Sequence, residues 1–203
     1  MTRFFVRTLW PQKTESCHGC LTGIIGLCYN EFMKITMQPA ISLDGYIALP
    51  GGDSSSWVNP ADEERYNQEV ERCGCVLVGR TTYQEYKDGF DSYKNVTIFV
   101  CTNNEAYTDT DTVKYVKGNA SEIIDSIKNN YDFSELVVCG GGEVNGMLAE
   151  ASLIDELVVS IQPVVLGQGI PLFGSFKPAL KLKLISVNQD IEGVTQNHYQ
   201  VIK

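Results

Sequence analysis

From Met33 onward, short apolar runs alternate with segments of helical period along the chain. Residues 34–41 read as a strand, and 42–60 as the loop after it. A helix is expected over 61–71, with Pro60 at its entrance and Asp62, Glu63 and Glu64 favouring its positive end. Residues 76–79 form a short buried strand, followed by a helical stretch from about Thr82. Further strands are expected over 96–101 and 112–116. Ser121 is placed to cap a helix carrying Ile123, Ile124 and Ile127. A strand over 136–139 and a helix over 143–150 come next, then a strand over 157–165. Residues 180–187 and 195–202 make a terminal antiparallel pair. Strands interleaved with helices, then strands alone, predict an α/β domain around a mixed sheet.

The first 32 residues break this pattern. They show no sustained period, and as a signal peptide they fail, because Pro11 and polar residues follow the basic start. The expected domain therefore spans 33–203. Residues 1–32 are an extension, either flexible or the product of an upstream start.

Composition narrows the function more than the fold. A chain of 203 residues suits one domain. A net charge of −9 argues against general affinity for nucleic acid or anionic membrane, so any bound anion must be met locally. No segment has the apolar length of a membrane span. Of seven cysteines, Cys73, Cys75, Cys101 and Cys139 lie in or beside apolar runs and read as small buried residues of a reducing cytoplasm. Cys17-His18-Gly19-Cys20 with Cys28 lacks the fourth ligand and spacing of a zinc site, and no metal is expected.

The chemistry gathers at strand ends. Gly140-Gly141-Gly142 closes one apolar run, and Glu143, Val144 and Asn145 open the next helix. Such a junction bares backbone N–H groups at a positive helix end, which suits an anion. A tight turn without ligand is the plainer alternative. It is neither a Walker loop, since no Gly-Lys-Ser/Thr follows, nor a dinucleotide fingerprint, since the last glycine is replaced by Asn145. Gly79-Arg80-Thr81-Thr82 repeats the arrangement with a fixed positive charge and two hydroxyls. Thr102 and Asn103 end a third strand with small hydrogen-bonding groups. Converging at the carboxyl edge of a sheet, these ends suit an extended, phosphorylated nucleotide.

Five motifs in order resemble the RibD C-terminal reductase family of dihydrofolate-reductase-like proteins. They are Ser42-Leu43-Asp44-Gly45-Tyr46-Ile47-Ala48, Val78-Gly79-Arg80-Thr81-Thr82-Tyr83, Gly140-Gly141-Gly142, Leu153-Ile154-Asp155-Glu156-Leu157, and the stretch from Gln162-Pro163-Val164 to Pro171-Leu172-Phe173. The resemblance covers nearly everything from Met33 on. It implies a three-layer α/β/α fold with a mostly parallel sheet and a C-terminal antiparallel hairpin, an NADPH cofactor, hydride transfer to a small heterocycle, and pairing into a homodimer. By position, Ala40 and Ile47 would flank the nicotinamide, and Gly79, Arg80, Thr81 and Thr82 would hold the diphosphate and 2′-phosphate. Thr102 and Asn103 would lie near the adenine ribose, with Gly140, Gly141, Gly142, Glu143, Val144 and Asn145 over the diphosphate. Asp62 falls on the substrate-binding carboxylate of dihydrofolate reductases, with Ser42, Asp44 and Trp57 on the substrate side. Hydride addition to a C=N bond needs a proton on nitrogen, which a buried acid supports. The same acid also stabilises its helix start, and at this point both roles stand.

Departures from the family pattern matter. Glu143 is acidic where many dihydrofolate reductases are basic. No arginine precedes Lys94-Asn95 to clamp a folate's glutamate tail, and no basic cluster is set aside for a ribosyl phosphate. The deaminase zinc signature that often accompanies this reductase is absent from the sequence. The leading expectation is an NADPH-dependent reductase of a 5-amino-6-(5-phosphoribosylamino)uracil-type or pteridine-type substrate. Dihydrofolate reductase proper and a non-catalytic NADPH sensor are the alternatives.

Overall fold

A computed structural model describes residues 33–203; the 1–32 extension lies outside the described residues. In chain order the elements are β1 (Lys34–Met37), β2 (Ala40–Ile41), β3 (Tyr46–Ala48), α1 (Pro60–Cys73), β4 (Cys75–Gly79), α2 (Arg80–Glu85), α3 (Lys87–Ser92) and β5 (Thr97–Cys101). They continue with β6 (Val113–Val116), α4 (Ala120–Asn130), β7 (Glu135–Gly140), α5 (Gly142–Glu150), β8 (Glu156–Ile161), β9 (Ile170–Pro171), β10 (Lys181–Asn188) and β11 (Thr195–Ile202). The main sheet runs β10-β11-β8-β1-β7-β4-β5-β6, with β2 joined to β8. It is parallel from β8 to β6, and β11 and β10 add an antiparallel edge.

Period-two alternation sends each strand's side chains to opposite faces, and the two faces differ. On one, Ile35, Met37, Leu77, Phe99, Leu136, Val138 and Leu157 pack against Ile123, Ile124 and Ile127 of α4 and Leu148 of α5. On the other, Val76, Val78, Ile98, Val100 and Val137 pack against Val70 of α1, Tyr83 of α2 and Phe90 of α3. Each such aliphatic side chain, fully buried, contributes about 1.5–3 kcal/mol. Helices on both sides give the expected three layers. The second helix layer is incomplete, however. Its apolar contacts stop at β7, and the same face of β1, β8 and β11 carries Thr36, Ser160, Gln196 and His198. A polar floor is thereby left beside α1.

Several boundaries move from the sequence expectation, each for a local reason. The strand expected over 34–41 is two, because Pro39 interrupts the ladder and only β2 resumes against β8. The strand expected to reach residue 165 stops at Ile161, before Pro163. Helix α2 starts at Arg80, directly after β4. Asn119, not Ser121, caps α4: its side chain accepts from the Glu122 N–H while Glu122 reaches back to the Asn119 N–H. The small β3–β9 pair inside two apparent loops was not foreseen, since two or three residues show no measurable period.

Candidate active-site cleft

A cleft of about 1840 Å³ runs from the carboxyl ends of β4, β5 and β7 across to the polar floor beside α1. Pairing of β4 with β7, with Val78 opposite Gly140, sets two glycine junctions side by side. Neither Gly79 before α2 nor Gly141 before α5 has a side-chain cap. The Gly141 N–H donates to Thr82 Oγ1 at 3.2 Å, tying the junctions together. The Gly140–Gly141 peptide is cis.

The glycines answer to the protein itself as well as to any ligand. A Cβ on Gly142 would stand 2.7 Å from Gly174 N and 2.8 Å from Pro171 O. One on Gly146 would stand 2.5 Å from Phe173 O, so the 171–176 turn sits directly on α5. Gly140, at φ +101°, adopts a backbone conformation that side chains disfavour. The Glu143 carboxylate accepts from both the backbone N–H and the hydroxyl of Ser175, each at 2.9 Å. Asn145 is buried and donates to Leu172 O at 3.0 Å, leaving its Oδ1 unpartnered. The acid beside the glycines thus braces a neighbouring turn.

Arg80 stands out among the cations on the cleft wall. Lys34, Arg65, Arg72, Lys87 and Lys117 each reach a carboxylate. Arg80 donates instead to Gln84 Oε1 at 2.6 Å and, among the described residues, forms no ion pair. Thr81, Thr82, Thr102 and Asn103 line the same arm, as do Val144 and Asn145, with Ala40 and Ile47 at the middle of the cleft.

The other arm centres on Asp62, only 4% exposed in the first turn of α1. Asn59 caps that helix by accepting from the Ala61 N–H, and Pro60 follows it, which fixes where Asp62 points. Its Oδ1 accepts from Ser160 Oγ at 3.0 Å and Arg65 Nη2 at 2.5 Å, and its Oδ2 from Gln162 Nε2 at 2.7 Å. Gln162 is fully buried and accepts from the Asn59 N–H at 3.0 Å, so one amide holds both the cap and the acid. At the far end, Lys34 lies 3.3 Å from Glu156 and 3.5 Å from Glu135. Although burial opposes it, these carboxylates raise the Lys34 pKa. Burial likewise opposes the lowered pKa of Glu135, which a hydrogen bond from Arg72 and the charge of Lys34 outweigh.

Ser42, Asp44 and Trp57 are not on the cleft wall, nor is Gly140. Ser42 Oγ accepts from the Tyr46 N–H, and the Asp44 carboxylate accepts from the N–H groups of Leu166 and Gly167. Trp57 donates to Asp53 O. These three shape the turn between β2 and β3 and the loop before α1. Sequence reasoning missed Arg65, Ser160 and the role of Gln162. Gln162 stood in a quoted motif, but nothing local tied it to an acid 100 positions away.

The family model for the RibD C-terminal domain matches residues 33–196. The chain belongs to the RibD C-terminal domain family. The uncharacterized protein YwjB of Bacillus subtilis (strain 168) is 30% identical over 171 residues, covering 82% of this chain and 97% of that one. A Shewanella sp. PV-4 structure described as a riboflavin biosynthesis protein superposes with a TM-score of 0.69 at 31% identity, covering 84% of this chain and all of that one. Dihydrofolate reductase from Enterococcus faecalis, solved with NADP(H), shares the fold with a TM-score of 0.65 at 19% identity, covering 85% and 99%. Membership of the RibD C-terminal domain family accounts for the order of the five motifs, and the dihydrofolate-reductase-like sheet for their convergence on one cleft. Among the described residues no helix is long and apolar enough to cross a membrane.

Proposed function

We propose that the chain is an NADPH-dependent reductase of a small heterocycle, of the pteridine or 5-amino-6-(5-phosphoribosylamino)uracil type. The observation that carries this reading is the uncompensated Arg80 beside two uncapped glycine junctions, in one cleft with a buried acid. Backbone N–H groups at two helix starts and a guanidinium with no acid partner among the described residues fit a diphosphate and a 2′-phosphate. The residues that would hold the cofactor are Gly79, Arg80, Thr81, Thr82, Thr102 and Asn103 on one side and Gly141, Gly142, Val144 and Asn145 on the other. Ala40 and Ile47 would stand beside the reactive ring. When bound, NADPH supplies the hydride.

Asp62 has the complementary task. Its Oδ2 has one protein donor and retains acceptor capacity for an N–H of the substrate. Held there, the edge of an aminoheterocycle is oriented, and Asp62, engaged as an acceptor, positions the nitrogen while solvent supplies the proton that nitrogen takes up on reduction. Ser160, Gln162 and Arg65 keep the carboxylate from turning away. In this reading the protein works in the cytoplasm as a homodimer. Strand β10 supports the pairing: it is the sheet edge, and Leu182, Leu184, Ile185 and Val187 on it are exposed. Sedimentation should give twice the chain mass, and Leu184→Lys should shift it to monomer.

Titrating NADPH and NADH against intrinsic tryptophan fluorescence tests the cofactor. A response to NADPH is expected, and no response to either would overturn the reading. Arg80→Ala should weaken NADPH about tenfold and NADH far less, because only NADPH carries the 2′-phosphate. Equal losses would remove Arg80 from the site.

A further inference from the structure

We infer that the substrate arm of the cleft selects a ligand without an anionic tail: a neutral or cationic aminoheterocycle whose appendage hydrogen-bonds and carries no phosphate or carboxylate. The inference rests on the reductase reading and narrows it, keeping the pteridine type and the unphosphorylated riboside and excluding the phosphoribosyl form.

Among the described residues, each lysine and arginine along this arm already reaches a carboxylate. Arg65 sits between Asp62 at 2.5 Å and Asp190 at 2.8 Å. Arg72 lies 2.6 Å from Glu69 and also pairs with Glu135. Lys34 is shared by Glu156 and Glu135. Beside them His198 Nε2 lies 3.1 Å from the same Glu156, buried and without a hydrogen-bond partner among the described residues. A phosphate entering here would find no free positive charge, and would stand near Glu69 and Glu156, which line the wall. Desolvating a dianion beside carboxylates is unfavourable, and the neighbouring ion pairs would have to break to answer it.

The sheet side of the wall is neutral and rich in hydrogen bonding, whereas α1 adds Glu63, Glu64, Glu69 and Glu71. Thr36, Gln38, Ser160 and Gln196 face the groove from the sheet. Arg65 Nε is buried without a hydrogen-bond partner among the described residues. With two aspartates against its single charge, Arg65 has no surplus positive charge, so that N–H suits a hydroxyl or carbonyl oxygen rather than an anion. The contrast is Arg80, the unpaired cation at the opposite end. Among the described residues of the cleft, one cation without an acid partner stands against one terminal phosphate, which leaves the cofactor provided for and a phosphorylated substrate unprovided.

The test uses the full chain saturated with NADP⁺, so that no turnover occurs, and two probes: 5-amino-6-(ribosylamino)uracil and its 5′-phosphate. Calorimetry should show the riboside binding about tenfold more tightly than the phosphate at low salt. The gap should narrow as ionic strength rises, because screening over about 10 Å at 0.1 M weakens repulsion. Glu156→Gln, which removes one repelling charge, should improve the phosphate by roughly threefold and leave the riboside unchanged. Equal or tighter binding of the phosphate would overturn the inference, as would a gap that widens with salt, or binding of neither probe to a protein that binds NADPH. Failure of NADPH itself to bind would be a different result, overturning the reductase reading and the inference with it.

Discussion

The two arms of the cleft are built from opposite materials. The arm proposed for the cofactor is backbone: two strand-to-helix junctions without side-chain caps, a guanidinium with no acid partner among the described residues, and a cluster of small residues. The substrate arm is side chain: a buried carboxylate with three donors, and cations each committed to an acid. Backbone amides recognise what many ligands share, the phosphate. Side chains locked in a network recognise what distinguishes one ligand from another, the shape and hydrogen-bonding pattern of an edge. An arm of the first kind suits a common cofactor, and an arm of the second kind suits a particular substrate.

If the arms are separable, a change in one should spare the other. Asp62→Asn carries the largest expected effect, a fall in kcat of about 100-fold or more. NADPH affinity should change less than about twofold, as for independent sites. Steady-state kinetics with a tryptophan-fluorescence titration of NADPH separates the two, and parallel losses would merge the arms into one structural unit. Unchanged turnover would reduce Asp62 to a helix-start acid.

Gly142→Ala comes next and tests the glycines as packing. The new methyl would meet backbone of Gly174 and Pro171 at under 3 Å, and backbone there has no rotamer to yield. A loss of about 1–3 kcal/mol in unfolding free energy is expected from denaturant midpoints. Gly89→Ala, with open space around its Cβ, is the matched control and should lose almost nothing. A Gly142→Ala protein of full stability that has lost NADPH would mean that the glycine serves the ligand and not the 171–176 turn.

How much of this was legible in the sequence follows the same division. The cofactor arm is written locally: a strand, a glycine and a helix start are neighbours in the chain, so Gly79-Arg80-Thr81-Thr82 and Gly140-Gly141-Gly142 announce themselves. So is the core, where short continuous apolar runs along β4, β5 and β7 marked strands buried on both faces. The substrate arm is written across the chain. Asp62 meets Ser160 and Gln162 from 98 and 100 positions away, and Arg65 spans 125 positions to Asp190. No local period carries such pairings; they appear only when β8 lies beside β1 and β11 beside β8. Glu143 shows the converse: its place beside the glycines suggested a conflict with phosphate, and a contact with Ser175, 32 positions on, resolves it.

The smallest expected effect probes the charge balance of the substrate arm. Glu135 accepts from Arg72 and lies 3.5 Å from Lys34, and its pKa is below the ordinary 4.5. Between its lowered folded value and about 4.5, the unfolded chain holds more protons at this site than the folded one. Its contribution to stability is therefore present above about pH 4.5 and lost as pH falls through the folded value. Glu135→Gln should cost at most about 1 kcal/mol at pH 7, since the cluster is half solvated and salt screens it. Wild type and variant should converge in acid, which chemical denaturation at pH 7 and pH 3 can read. The same variant loosens the hold on Lys34 and Arg72, leaving each one acid partner, Glu156 and Glu69. If charge compensation governs this arm, Glu135→Gln should admit the 5′-phosphate probe slightly better while leaving NADPH affinity where it was. A shift in NADPH instead would show that the charges of the two arms are felt in common.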